Sequence, residues 1–201
     1  MASMAHFALL KPRKNRWGCL SQGRIGKRKI MAKKNKGAGP MDVALSYLTA
    51  RSRTVREMEL HLDDAYFGEV EVYECVERLK ELGYLDDGRF AADFVESRLR
   101  TKPISRRKLR EQLYAHKLPP ETVDTALATV TDEIEQKNAA EIAKKYWRQF
   151  EALEDFERKG RVMRRLMGRG YDLHAIRQSV EHVIGDLDGV DLEQMDAEDE
   201  E

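Results

Sequence analysis

The apolar residues in the middle of the chain recur with a period of slightly more than fifty residues. Counted from Met58, apolar side chains follow at offsets of 4, 9, 14 and 18, and the same offsets apply when the count starts at Leu109 or Val162. The three starting residues lie 51 and 53 residues apart. A fixed spacing of this kind predicts an internal repeat of three units. The fifteen residues are Met58, Leu62, Phe67, Val72 and Val76, then Leu109, Leu113, Leu118, Val123 and Leu127, then Val162, Leu166, Tyr171, Ile176 and Val180.

The offsets also indicate what each unit contains. Steps of four keep side chains on one face of an α-helix, whereas the two steps of five around the middle residue interrupt a continuous helix. A further amphipathic stretch precedes each pair of helices, with Val43-Ala44-Leu45, Phe94-Val95 and Ile142-Ala143 as its apolar residues. The predicted fold class is all-α, with three tandem three-helix repeats that form an elongated, curved molecule because repeat units contact mainly their neighbours.

Capping residues and helix breakers support these boundaries. Pro119-Pro120 fits the first turn of a helix, and Gly83 and Gly170 suit the left-handed residue that ends one. The residues suited to cap a helix start are Thr54 with Glu57, Ser105 and Asp172. The predicted organisation is a basic leader at 1–40, three-helix repeats at 41–86, 87–131 and 132–184, and an acidic tail at 185–201.

The formal net charge of zero conceals two blocks of opposite sign at the ends of the chain. Residues 1–36 contain 11 lysines and arginines and no acid, whereas residues 185–201 contain nine acids and no base. Blocks of one sign repel themselves, so we expect both ends to be disordered. The leader also has no lasting apolar period, and we expect translation to begin at Met31 or Met41 rather than at Met1.

Composition excludes several classes of protein. The 201-residue chain has 41% hydrophobic and 36% charged residues, and none of its apolar runs approaches the ~18 residues that cross a bilayer. Two cysteines are too few for a disulfide framework, which favours a reducing cytoplasm. Cys75 is predicted to be a small buried hydrophobe. His174 and His182 lack an evident third ligand, so surface positions are favoured over a metal site. No catalytic residue, cofactor or metal ion is expected, and we do not expect an enzyme.

Three stretches resemble the motifs of a known family. Leu82-Gly83-Tyr84-Leu85-Asp86-Asp87-Gly88-Arg89-Phe90-Ala91 is similar to a signature of the RecX family of bacterial recombination regulators. The basic segment from Ser105 to Leu113 resembles the family's second-unit helix, and Leu166-Met167-Gly168-Arg169-Gly170-Tyr171 resembles the turn of its third unit. His116-Lys117-Leu118 departs from the family pattern, which has Lys-Gly-Ile at that turn. The resemblance covers about residues 41–184.

The resemblance implies a partner and a function. RecX proteins bind the RecA recombinase and its nucleoprotein filament, and they inhibit filament growth, strand exchange and RecA-stimulated cleavage of repressors. It therefore implies a regulator of DNA repair, recombination and the SOS response. We expect a cytoplasmic monomer that does not associate with membranes, with weak direct binding of single- or double-stranded DNA as an additional interaction.

Basic residues in the second helices of units two and three are candidates for the contact with the filament or with DNA. Offsets −3 and −1 are basic in both units, so we expect one electropositive edge that follows phosphates or acidic patches. The alternative is a solvated helix face neutralised by Glu111, Glu154 and Glu157. The candidate residues are Arg106, Arg107, Lys108, Arg110, Arg158, Lys159, Arg161, Arg164, Arg165 and Arg169.

A second class of function stays open. Basic second helices in three-helix units resemble the recognition helices of DNA-binding proteins, so a helical-repeat module that binds nucleic acid directly is the alternative to a filament regulator. Salt separates the two readings, because direct binding to DNA weakens steeply as counterion release is lost.

Overall fold

The computed structural model describes residues 37–185. These residues form nine α-helices and no β-strand, which confirms the predicted all-α fold of tandem three-helix units. The predictions about the basic leader, the start of translation and the acidic tail lie outside the described residues. The helices are α1 (Pro40–Leu48), α2 (Val55–Asp64), α3 (Glu69–Glu81), α4 (Asp87–Thr101), α5 (Arg106–Ala115), α6 (Pro120–Leu127), α7 (Asp132–Gln149), α8 (Asp155–Met167) and α9 (Leu173–Ile184).

Each set of three consecutive helices encloses its own hydrophobic core. Of the fifteen apolar residues at the repeating offsets, all are buried except Phe67, which is half-buried. The first helix of each set completes the core, as Ala44 does in α1, Ala91 in α4 and Ala139 in α7, all with no exposed surface. The extensive helix–helix contacts in the described part of the chain lie within these sets. We call the sets unit 1 (α1–α3), unit 2 (α4–α6) and unit 3 (α7–α9).

The turn between the second and third helix has the same backbone conformation in all three units. The residue at offset 8 has a positive φ in each case, at 69° for Tyr66, 64° for Lys117 and 84° for Gly170. This left-handed residue ends the helix, and for a residue other than glycine it costs roughly 1–2 kcal/mol. Lys117 therefore makes the turn for which the family pattern has a glycine. Gly83 has the same role at the end of α3, with a φ of 71°.

The predicted caps are present at the helix starts. Thr54 Oγ1 accepts a hydrogen bond from the Glu57 N–H at 3.2 Å, and the Glu57 carboxylate accepts one from the Thr54 N–H at 3.4 Å. At the starts of α5 and α9, Ser105 Oγ and Asp172 Oδ1 each accept a hydrogen bond from a backbone N–H three residues further on. Pro120 is the first residue of α6. Helix α8 differs from α2 and α5, because it begins a full turn earlier and its offset −4 residue, Arg158, lies inside the helix.

The joint between units 1 and 2 uses the start of α2. Thr54 Oγ1 donates a hydrogen bond to the His116 carbonyl at 2.7 Å, and the Val55 N–H donates one to Asp87 Oδ1 at 2.8 Å. Glu57 Oε1 lies 3.0 Å from Nδ1 of His116. The joint therefore gives partners in unit 2 to polar groups at the start of α2 that its own helix cannot satisfy.

The joint between units 2 and 3 repeats this arrangement one unit further on. The Ser105 N–H donates to the Arg169 carbonyl at 3.1 Å, and the Arg106 N–H donates to Glu135 Oε1 at 2.8 Å. In both joints the offset −4 residue bonds the carbonyl at offset 7 of the next unit. In both, the N–H at offset −3 bonds a carboxylate on the first helix of that unit. The repeat thus extends from the cores of the units to the contacts between them.

Candidate functional site

Two of the four basic residues of α5 form ion pairs with acids on neighbouring helices. Arg106 forms ion pairs with Asp132 and, at 3.5 Å, with Glu135, both on α7. Arg110 pairs with Asp124 of α6 at 2.9 Å. These arginines therefore connect α5 to its neighbours, and Arg106 does so across the joint between units 2 and 3.

Lys108 and Arg107, also on α5, form no ion pair with another helix in the described part of the chain. Lys108 is paired at 3.0 Å with Glu111 on its own helix, one of the acids named in the alternative of a neutralised face. Arg107 is exposed and has no ion pair among residues 37–185. Exposed ion pairs between residues three or four apart contribute only ~0.3–0.5 kcal/mol, so Lys108 can exchange its contact with Glu111 for a partner's acidic group or phosphate. Arg107 can bind such a group without giving up an ion pair within the described residues.

Three arginines of unit 3 lie against the aromatic residues of α7. The guanidinium of Arg158 stacks over the Trp147 ring at 3.7 Å, and its Nε donates to the Trp147 carbonyl at 2.7 Å. Arg165 and Arg169 lie 5.7 and 5.1 Å from the centre of the Tyr146 ring, and Arg169 also donates to the Tyr146 hydroxyl at 3.0 Å. Only 14% of the Arg158 side chain is exposed, so this arginine mainly stabilises the contact between α7 and α8.

The remaining basic residues of α8 point elsewhere. Arg161 pairs with Glu157 at 2.9 Å. Glu157, like Glu111, is one of the acids expected to neutralise a solvated helix face. Lys159 is half-buried. Arg164 is exposed and, within the described part of the chain, forms no ion pair. Arg164 and Arg107 are therefore the candidates whose charge is least compensated by the fold.

The joint between units 2 and 3 brings several candidates from different helices together. A Cβ placed on Gly170 would lie 2.7 Å from Ser105 Oγ and 3.0 Å from the Cβ of Lys108, so the turn after α8 packs directly against the first turn of α5. Lys108 consequently lies beside the turn that carries Arg169. Arg165 lies against the same Tyr146 ring as Arg169 and so belongs to the same region. We call Lys108, Arg165 and Arg169 the joint cluster.

The structure does not give equivalent offsets equivalent surroundings. Arg106 and Lys159 share offset −3, and Lys108 and Arg161 share offset −1. Arg106 is the first residue of α5 and its side chain crosses a joint, whereas Lys159 lies within α8, which begins a turn earlier. The helix start, and not the core spacing, decides where these side chains go.

Sequence reasoning missed the partners that hold the candidates in place. Asp132, Glu135 and Asp124 are distant in sequence from the arginines they pair with, so no local pattern identifies them. Tyr146 and Trp147 were visible as adjacent aromatics on α7, but their use as platforms for arginine depends on the angle between α7 and α8. A usable signal did exist for the joints, since Asp87 and Glu135 each precede a buried alanine by four residues.

Burial explains the raised pKa values of Cys75 and Tyr171. Cys75 is buried in the core of unit 1, as predicted, and burial raises the pKa of its thiol. Burial also raises the pKa of the Tyr171 phenol far above its ordinary value, and the nearby Glu135 carboxylate adds to the shift. His174 and His182 are exposed. Among residues 37–185 no group of three or more histidine, cysteine or acidic side chains is arranged to hold a metal ion. The helices of this region include none that is long and apolar enough to cross a membrane.

The fold and the site together define a tandem-repeat helical protein whose distinguishing chemistry is a set of surface cations. Two protein-family models match the chain, described as RecX, second three-helix domain, over residues 86–127, and RecX, third three-helix domain, over residues 133–180. The regulatory protein RecX of Chlorobium phaeobacteroides is 30% identical over 142 residues, which cover 71% of this chain and 91% of that protein. For the regulatory protein RecX of Chlorobaculum tepidum the identity is 32% over 151 residues, covering 75% and 92%. The chain belongs to the RecX family of regulatory proteins.

A solved structure has the same fold. The crystal structure of RecX from Lactobacillus salivarius matches with a TM-score of 0.62 at 18% identity, over 77% of this chain and 97% of that chain. The two matched family domains coincide with units 2 and 3, which carry the candidate basic residues.

Proposed function

We propose that this protein binds the RecA recombinase and the RecA–DNA filament, and that it inhibits filament extension, recombinase activity and RecA's coprotease function. Membership in the RecX family of regulatory proteins is the observation that carries the proposal. The role is that of a cytoplasmic regulator which binds its partner as a monomer, uses no cofactor and catalyses no reaction.

Units 2 and 3 supply the contact surface in this proposal. The filament presents phosphates and protein carboxylates, which are ligands for exposed guanidinium and ammonium groups. Arg107 and Arg164 are exposed and unpaired within residues 37–185, and the joint cluster adds cations from two units. The other candidates belong to the same two units and border this surface, namely Arg106, Arg110, Arg158, Lys159 and Arg161. The α2 helix of unit 1 carries Glu57, Glu59, Asp63 and Asp64 and is not suited to the same contact.

The direct test measures RecA's DNA-dependent ATP turnover in the presence of the protein. Inhibition is expected at amounts of protein too small to coat the DNA, because a filament regulator acts on the growing or assembled filament. Turnover that is unaffected at every ratio of the two proteins would contradict the proposal.

Charge reversal tests the proposed contact surface. Arg107→Glu combined with Arg164→Glu is expected to weaken retention on the filament by ~5–30-fold, since each exposed contact contributes up to ~1 kcal/mol. Arg78→Glu is the matched control, because Arg78 is exposed on unit 1 and pairs only locally, with Glu81 at 2.9 Å. Equal retention of the double variant and the control would remove these two arginines from the contact.

Direct DNA binding is the second candidate function, and the exposed Arg107 and Arg164 favour it because they are free to contact phosphates. The logarithm of the affinity for single-stranded DNA without RecA should then fall steeply and linearly with the logarithm of salt concentration. If binding to the filament has the same salt dependence as binding to bare DNA, the helical-repeat DNA-binding module is the better description. If the filament is bound at salt concentrations that release bare DNA, the contact with RecA dominates.

A further inference from the structure

Unit 3 has a groove on the side where α7 and α9 pack together. The groove has a volume of about 790 Å³. Apolar side chains that line it include Ala140, Trp147 and Val183. Its basic lining residues are Lys137, Lys144 and Arg148, and two acids, Glu133 and Glu141, line it as well. The groove therefore combines apolar surface with cations that all come from one helix.

Polar groups in this groove lack partners in the described structure. Within residues 37–185, Lys137, Lys144 and Arg148 form no ion pair with a carboxylate. Ser179 lines the groove, is 3% exposed, and its Oγ has no hydrogen-bond partner in the described part of the chain. Buried polar atoms of folded proteins are nearly always bonded, so this hydroxyl has hydrogen-bonding capacity left for a group that enters the groove.

The equivalent groove of unit 2 shows that this charge is particular to unit 3. Helices α4 and α6 enclose a groove of about 720 Å³. Its charged lining residues are Glu96 and Glu121, and it has no lysine or arginine. Two acids thus line each groove, and in unit 3 three cations outnumber them. An occupant that carries negative charge and apolar side chains therefore fits the groove of unit 3 better than that of unit 2.

The end of this chain has that chemistry. Residues 186–201 contain nine acids and no base, and the apolar residues Leu187, Val190, Leu192 and Met195 are interspersed among the acids. The segment continues directly from α9, and Gly185 leaves that helix with a left-handed φ of 94°, which turns the chain away from the helix direction. From Gly185 back to the level of Ser179 is about 9 Å along the helix axis, a distance that three extended residues span.

We propose that residues 186–201, the acidic tail, bind in the α7–α9 groove of their own chain. The acids of the tail pair with Lys137, Lys144 and Arg148, its apolar side chains contact Trp147 and Val183, and a polar tail group bonds the Ser179 hydroxyl. This contact gives Lys137, Lys144 and Arg148 carboxylate partners. It is independent of the proposed function, because it is a property of the isolated chain.

Carbodiimide cross-linking of the full-length protein tests the contact, because the reagent joins a lysine amine to a carboxylate only when the two touch. After digestion, mass spectrometry identifies which lysine is linked to which tail acid. Links from the tail are expected at Lys137 and Lys144 in the monomeric product. The matched control is Lys145, which is exposed on the same helix but does not line the groove, and at least fivefold fewer links are expected there.

A fluorescence measurement supports the same test without chemical coupling. In a Trp17→Phe background Trp147 is the remaining tryptophan, and the bound tail should shield it from acrylamide. Replacing Lys137 and Lys144 together by Gln is expected to raise the quenching constant by about twofold, whereas Lys145→Gln leaves it unchanged. Tail links spread evenly over all lysines, links to the lysines of residues 1–36, or links found only in a cross-linked dimer would each overturn the proposal, since each assigns the tail another partner.

Discussion

Replacing Gly170 by alanine should test both the turn and the joint that this glycine forms. Gly170 has a φ of 84°, a conformation that residues with a Cβ rarely adopt. The added Cβ would also lie 2.7 Å from Ser105 Oγ and 3.0 Å from the Cβ of Lys108, across the joint between units 2 and 3. The substitution therefore strains the backbone within unit 3 and, separately, pushes unit 2 away.

The two contributions can be separated by comparison with Gly83. Gly83 has a similar φ of 71°, but a Cβ placed there would meet no heavy atom within 4 Å. Gly83→Ala should therefore cost only the backbone strain, about 1 kcal/mol. Gly170→Ala adds the cost of overpacking, ~1–3 kcal/mol, for an expected total of ~2–4 kcal/mol. The difference between the two variants measures the closeness of packing at the joint.

Urea unfolding monitored by circular dichroism gives the free energy of unfolding for both variants. A double-mutant cycle then identifies the clash, because Ser105→Ala removes the oxygen that the new Cβ would meet. Ser105→Ala alone should cost ~1 kcal/mol as a lost cap, and the double variant should lose less than the sum of the two single changes. Equal destabilisation by Gly170→Ala and Gly83→Ala, or strict additivity in the cycle, would refute the packing described for this joint.

Three further predictions concern the turns and joints, each measured by urea unfolding. Lys117→Gly should raise the free energy of unfolding by about 0.5–1 kcal/mol, because Lys117 has a φ of 64° that glycine adopts without strain; a loss would contradict this. Tyr171→Phe should leave stability unchanged or raise it by up to ~1 kcal/mol, since the buried hydroxyl has no partner within residues 37–185; a larger loss would reveal a bond. Asp87→Ala should cost ~1–2 kcal/mol by removing the acceptor of the Val55 N–H, and Asp87→Asn should cost less. Burial raises the pKa of Asp87 above its ordinary 3.8, so folding takes up a proton, and the contribution of this carboxyl to stability falls as the pH rises from about 4. Asp87→Asn should remove that fall. A dependence of stability on pH that is the same in Asp87→Asn as in the unchanged protein would count against the shift.

The cores and turns were predictable because local rules decide them. The spacing of Leu109, Leu113 and Leu118 already predicts a helix, a tight turn and a second helix, because the step of four keeps one helical face and the step of five interrupts it. The caps at Thr54 and Ser105 follow from side-chain chemistry within four residues. Lys117 shows the strength of the pattern, because the turn forms there without the glycine that favours it.

The surroundings of the basic residues were not predictable in the same way. Arg106 and Asp132 are 26 residues apart, and their pairing depends on how unit 3 is placed against unit 2. Arg158 was assigned to a charged edge together with the other basic residues of its helix, but it lies inside α8, which begins a turn earlier than α2 and α5, and it stacks on Trp147. The partner of a long side chain depends on which residues of the neighbouring helix lie within its reach. The spacing of residues within one unit does not determine this.

The joints impose a limit on how a repeat protein can use its charges. At each joint the start of a second helix is hydrogen-bonded to the next unit. The Val55 N–H donates to the Asp87 carboxylate, and the Arg106 N–H donates to the Glu135 carboxylate. A cation at that position is drawn into the joint, so charge available to a partner must lie further along the helix or on its outer face. Arg107 and Arg164 meet this condition, and Arg106 does not. A variant in which Arg106 is reversed would therefore report on the stability of the joint, whereas reversal of Arg107 and Arg164 reports on binding.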